Sequence, residues 1–162
     1  MIAELQSASM ADWEILLQLV QEFHQLEGVS LSEQQRATAL KILIENVELG
    51  GIWLICCNSQ IVGYIALCTG YSIEFSGKDA FIDEFYIRSD YRGKGLGRQA
   101  LNQIKLLAKA QGLQALHLEV ERSHFKAQRL YAQANFEVRE KYVLMSVKLS
   151  DSKLSDSSAI TI

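Results

Sequence analysis

Arg92, Gly93, Lys94, Gly95, Leu96, Gly97 and Arg98 bring three glycines and three cations together in seven residues. Glycines at alternating positions let backbone N–H groups turn inward with no Cβ in the way. The residues before this run read as a strand and those after it as a helix, whose positive end faces the same spot. Such a loop seats a phosphorylated ligand, and Arg92, Lys94 and Arg98 supply full charges around it. An ordinary strand-to-helix turn also uses glycine, but it has no need of so many cations.

Spacing narrows the ligand. A nucleotide-hydrolase P-loop requires Lys and then Ser or Thr after its last glycine, whereas Arg98 and Gln99 follow Gly97. A dinucleotide fingerprint starts well at Gly93 and Gly95, yet Arg98 stands where its third glycine belongs. Glu119, at the right distance for a ribose hydroxyl, does not repair it.

Two other sets of side chains could do chemistry. Asp83 and Glu84 are adjacent on the strand that feeds the loop, so they point to opposite faces unless a bulge re-aims one. Either carboxylate could hold a cationic group by charge. A solvated strand end accounts equally well for each acid alone, but less well for the pair. Tyr131 shares a helical face with Ala127 and Leu130, which suits a packed ring.

The elements that must position these residues follow from periodicity. Residues 2–6 suit a first strand. Ser9 or Asp12 can cap a helix traced by Trp13, Leu16, Leu17, Val20 and Phe23 and closed by Gly28. A second helix starts near Ser32, with Ala37, Leu40, Leu43, Ile44 and Val47 on one face and Gly50-Gly51 as its stop. Strands follow at 52–57 and 61–69, joined by a tight turn at Asn58-Ser59-Gln60. A polar loop, 71–79, leads to the key strand, 81–87. After the glycine loop come a helix to about Gln111, a strand at 115–120, a short helix around Tyr131, and a last strand on which Val143, Met145, Val147 and Leu149 alternate. Residues 150–162 are rich in Ser and Asp and predict a mobile tail beyond a domain of residues 1–149.

Composition restricts the function classes. A chain of 162 residues suits one domain, and 49% hydrophobic with 22% charged residues excludes a disordered one. A net charge of −3 gives no footing for broad nucleic-acid binding. No apolar stretch approaches the length of a membrane span, and the N-terminus does not read as a signal peptide. Cys56, Cys57 and Cys68 lack metal-ligand spacing and predict reduced thiols in a cytoplasmic protein. His24 and His117 fall on helix and strand patterns and read as structural, and no metal site is expected.

The pattern Arg-x-x-Gly-x-Gly at Arg92, Gly95 and Gly97 resembles the pyrophosphate-binding motif of the GCN5-related N-acetyltransferases (GNAT superfamily), which hold acetyl-coenzyme A. A second match lies downstream, where Ala127, Leu130, Tyr131, Asn135 and Phe136 follow the family's Asn-x-x-Ala-x-x-Leu-Tyr-x-x-x-Gly-Phe pattern. The resemblance implies a single-domain α/β (α+β) fold: a mixed, mostly antiparallel twisted sheet flanked by helices, with the fourth and fifth strands splayed to admit the pantetheine arm. It implies acetyl-CoA as co-substrate, no metal, and direct transfer to an amine. The backbone of Phe85, Tyr86 and Ile87 would line the pantetheine, and residues 92–98 the pyrophosphate. His124 stands where the family usually has Asn, and Tyr131 takes the place of its catalytic acid. Asp83-Glu84 and the residues after them look like the polyamine and thialysine acetyltransferase subgroup, in which Asp83 would replace a Glu that binds the amine. A small polyamine-like or amino-acid-like amine and a homodimer are therefore expected. Protein N-terminal or lysine amines, or a catalytically silent acyl-CoA sensor, are the alternatives.

Overall fold

The computed structural model describes residues 1–149. In chain order these form β1 (Glu4–Ser7), α1 (Trp13–Glu27), α2 (Glu33–Glu45), β2 (Gly50–Cys57), β3 (Gln60–Ser72), β4 (Gly77–Ile87), α3 (Leu96–Ala110), β5 (Ala115–Leu118) and α4 (Phe125–Gln133). Single 3₁₀ turns, Met10–Asp12 and Ser89–Tyr91, precede α1 and the glycine loop. The five strands make one sheet in the order β1-β2-β3-β4-β5. Neighbours run antiparallel except for the parallel β4 and β5. This is a single-domain α/β fold with helices on both faces of a mixed sheet.

Both faces are covered, which is why the central strands are apolar at nearly every position rather than at alternate ones. On one face Leu16, Leu19 and Val20 of α1 and Leu40 of α2 pack on Ile52, Leu54, Tyr64, Ala66 and Tyr86. On the other, Leu101 and Ile104 of α3 cover Trp53, Ile65, Leu67, Ala80 and Ile82. Leu96 and Ala100 cover Ile55, Val62 and Ile87. Two glutamines of α3 do the work of a further strand beside β1. Gln99 and Gln103 accept from Ala3 and Leu5 N–H at 3.0 and 3.1 Å, and Gln103 returns a bond to the Ala3 carbonyl. Those edge groups are thereby withheld from other chains.

Caps explain where the helices begin and end. Ser9 and Asp12 form a capping box on the 3₁₀ turn that leads into α1, and Gly28 closes α1 in the left-handed region at φ 69°. Ser32 and Gln35 form a second box on α2. That helix ends earlier than its apolar pattern predicts, because the Asn46 side chain takes the Ile42 carbonyl at 2.7 Å, and Val47 is left exposed. The polar loop expected at 71–79 is largely a hairpin: pairing continues through Gly70↔Asp79, Tyr71↔Lys78 and Ser72↔Gly77. A backbone ladder needs no apolar alternation, so a polar strand end escapes a pattern search.

The expected last strand is absent. Residues 142–148 carry no ladder, and Val143, Met145 and Val147 are exposed. Alternation records a preference for a pleated surface, and the preference is realised only where a neighbouring strand pairs with it. The predicted tail, 150–162, lies outside the described residues. Among the described residues no helix is long and apolar enough to cross a membrane.

Candidate active site

The glycine loop leaves the end of β4 and enters α3. Gly93 and Gly95 sit at φ 73° and 81°, where a side chain is strained, and neither has an atom crowding the place of its Cβ closer than 3.9 Å. Gly97 has another task. A Cβ there would meet Leu130 Cδ2 at 3.2 Å and Phe85 Cζ at 3.6 Å, so its bareness lets α3 close against α4 and β4. Gly95 gives α3 no side-chain cap, and its first turn holds no acid. The opening N–H groups of α3 therefore face the loop with no cap of their own, as an anion seat requires. Lys94 and Arg98 are exposed beside them. Arg92 is partly committed elsewhere: its Nε donates to the Ile87 carbonyl at 2.6 Å, and its guanidinium lies 5.4 Å from the Tyr86 ring centre.

The β4 and β5 ladder stops at Ile82↔Leu118, while β4 runs on to Ile87. Beyond that point the two strands part, and among the described residues no strand pairs with the β5-facing side of residues 83–87. Phe85 leans toward the α3 side, where Tyr131 lies 6.5 Å from it and Phe136 meets Tyr131 edge-on at 6.0 Å. The Tyr131 phenol is held above its ordinary range by burial first and by the Glu27 carboxylate second. It thus keeps its proton well past neutrality, as an acid must. Asn135 takes φ 64° in place of the family's glycine, and the chain turns there as it should. His124 is exposed at the start of α4 and gives it no side-chain cap. The loop before α4 is instead tied by Gln128, whose Nε2 donates to the Glu121 and Arg122 carbonyls at 3.0 and 2.8 Å.

The acidic pair sits on a bulge. Ala66 pairs with Glu84 and Leu67 with Ile82, which leaves Asp83 as the extra residue. Glu84 lies on the α1–α2 side of the sheet. Its Oε1 is 2.5 Å from His24 Nε2, and its Oε2 accepts from the Tyr64 hydroxyl at 2.6 Å. Arg36 Nε lies 3.3 Å from His24 Nδ1, and its Nη2 donates to the Leu31 carbonyl at 3.3 Å. Asp83 opens to solvent, yet the protein around it and the like charge of Glu84 raise its carboxyl, with His24 opposing. Burial, then Asp83 and Glu84, push the neighbouring Cys68 thiol up to about 11. Burial and Glu84 raise the Tyr64 phenol, fixing it as a donor.

Two residues of this network escape a reading by periodicity. His24 reads as structural and Arg36 goes unnoticed, yet each lies one helical turn from an apolar position of a buried stripe, Val20 and Leu40 respectively. A cation or imidazole on such a stripe must find a partner, and that was the available signal. His117, by contrast, meets Asp79 at 3.2 Å and the rings of Phe75 and Phe81, away from the bulge. Among the described residues no cluster of metal-ligating side chains occurs.

The model of the acetyltransferase (GNAT) family matches residues 13–136. The chain belongs to this family. It is 34% identical over 99 residues to an uncharacterised N-acetyltransferase, YycN, of Bacillus subtilis (strain 168), a match that spans 60% of the chain and 61% of that relative's length. An integron cassette protein, HFX_CASS3, from the mobile metagenome of Cole Harbour Salt Marsh is 34% identical, with a TM-score of 0.78 over 88% of this chain and 89% of that one. A predicted acetyltransferase of Clostridium acetobutylicum, solved with acetyl-CoA, shares the fold at 16% identity, with a TM-score of 0.72 over 90% of this chain and 96% of that one. The GNAT frame gives the geometry its order: glycine cradle, parted strands and Tyr131 on one side of β4, acidic bulge on the other.

Proposed function

We propose that this GNAT protein transfers the acetyl group of acetyl-CoA directly to a primary amine. One observation carries the reading. The parting of β4 from β5 lies between an uncapped, cation-rimmed helix start and a bulge that bears two carboxylates. The cradle fits a diphosphate, since left-handed glycines and the α3 N–H groups leave it bare and positive. When bound, acetyl-CoA supplies an activated thioester. The β5-facing edge of residues 83–87, left without a partner strand, offers N–H groups to a lengthening strand-like arm and to a carbonyl oxygen gathering charge. Glu84 holds the incoming ammonium and accepts its proton, directly or through one water, because an alkyl ammonium has no lone pair to attack with. Asp83 adds a second negative charge at the bulge. Tyr131 keeps its proton for the departing sulfur.

The acceptor we favour is a small polyamine-like or amino-acid-like molecule, supported by the two adjacent carboxylates, which suit a compact cation. No cysteine is given a catalytic role, and three free cysteines fit a reducing cytoplasm. A homodimer and a small-molecule rather than nucleic-acid partner complete the proposal. A thiol-release assay with acetyl-CoA and a panel of amines tests it. Release that requires an amine, fastest with small diamines, is expected. Release fastest with peptide N-termini would move the acceptor to protein amines. Tight acetyl-CoA binding without release under any amine would replace the enzyme with a sensor.

A further inference from the structure

Glu84 does not stand alone, and the way it is held has a direction. His24 is 5% and Arg36 9% exposed, so neither side chain is free to choose its partners. A guanidinium has donors and no acceptor. Arg36 Nε, 3.3 Å from His24 Nδ1, therefore requires a lone pair on Nδ1. The ring proton then sits on Nε2, aimed at Glu84 Oε1, while the Tyr64 hydroxyl donates to Oε2. The Leu31 carbonyl anchors the far end of the guanidinium, which ties this choice to the start of α2. The charged or titratable groups around the imidazole are Glu84 and Asp83 from β4, Tyr64 from β3 and Arg36 from α2.

We infer that Arg36 is a positioning residue: it sets the tautomer of His24 and, through it, aims the Glu84 carboxylate at the amine. The inference rests on the reading of Glu84 as the amine-facing group. It also assigns His24 a limited role. With Nδ1 occupied by Arg36, a proton received by Glu84 has no exit through the ring, so His24 orients the carboxylate and does not shuttle. Without Arg36 nothing in this network holds Nδ1 bare, so the ring can take a proton there while Nε2 keeps its own toward the carboxylate.

The deciding experiment is nitrogen NMR of ¹⁵N-histidine-labelled protein, run beside amine kinetics. The wild type should give the Nε2–H signature for His24. Arg36→Met should lose the bare-Nδ1 resonance of that tautomer and lower kcat/KM for the amine about tenfold, with the KM for acetyl-CoA unchanged. Its pH profile should differ from that of the wild type. Arg36→Lys, which keeps a donor, should recover most of the loss. Should Arg36→Met fail to fold, the wild-type spectrum and Arg36→Lys still decide. An Nδ1–H signature in the wild type, or a wild-type pH profile in Arg36→Met, overturns the inference. Thiol release with the wrong tautomer defeats this inference alone; the right tautomer with no release under any amine defeats the functional reading instead.

Discussion

The two sides of β4 are built on different principles. On the α3 side the cradle is made by backbone: two left-handed glycines, one packing glycine and the first turn of a helix, all within a few residues of sequence. On the α1–α2 side the carboxylate is held by side chains from far away, His24 from α1, Tyr64 from β3 and Arg36 from α2. A backbone site depends first on its glycines and only then on the charges at its rim. A side-chain site is lost with any one member, because each leaves a buried partner unsatisfied. The difference suits the division of labour in the proposed function, with a diphosphate on one side and an amine on the other.

The largest effect should come from a side chain on the α3 side, Tyr131. Tyr131→Phe keeps the ring against Phe85 and Phe136 and removes only the proton. It should lower kcat on the order of 100-fold, with acetyl-CoA affinity unchanged by calorimetry. Because burial raises the phenol, wild-type kcat should hold through the pH range near 10 where a free tyrosine ionises. A near-wild-type kcat in Tyr131→Phe would leave the residue as packing alone and remove the chemical asymmetry between the two sides.

A smaller loss is expected from the cradle. Gly95→Val forces a β-branched residue to φ 81° where no atom lies within 3.9 Å of the new Cβ, so the cost falls on backbone conformation rather than on packing. The KM for acetyl-CoA should rise roughly tenfold while the KM for the amine moves little. Equal rises in both would show that cradle and bulge are coupled.

The same contrast governs what could be read from sequence. The cradle was legible because its residues are neighbours in the chain and glycine with positive φ leaves a compositional mark. Tyr131 stood out only through the family pattern that Ala127, Leu130, Asn135 and Phe136 carry, and its place beside Phe85 belongs to the fold. Five strands and four helices were placed by periodicity, and misplacements fell where periodicity is silent: the polar end of the β3–β4 hairpin, the early stop of α2 at Asn46, and residues 142–148, whose alternation finds no neighbouring strand. The bulge was anticipated as a condition on Asp83 and Glu84 but could not be located, since register belongs to both strands. The His24–Glu84 contact joins residues sixty apart, and Arg36 acts on a residue twelve positions away. Only the fold brings them together, so local pattern had no means of pairing them.

The seam between the two sides gives the smallest and most separable test. Glu22 of α1 binds Arg88, just past the end of β4, through two bonds: Oε2 from Nε at 2.9 Å and Oε1 from Nη2 at 2.8 Å. Tyr86 and Gln18 add further donors. The Arg88 hydrogen bond holds the Glu22 carboxyl below its ordinary 4.5, although burial pulls the other way. A carboxyl lowered in the folded state stabilises it above the unfolded value, and that contribution disappears as pH falls through the folded value. Glu22→Gln should therefore cost about 1 kcal/mol at pH 7, in line with a partly exposed pair, and the urea midpoints of variant and wild type should converge in acid. Kinetic constants at neutral pH should change little, because neither the cradle glycines nor the Glu84 network includes this pair. If instead Glu22→Gln raises the KM for acetyl-CoA as Gly95→Val does, then α1 helps hold the loop after β4, and the two sides of the strand are less independent than their construction implies.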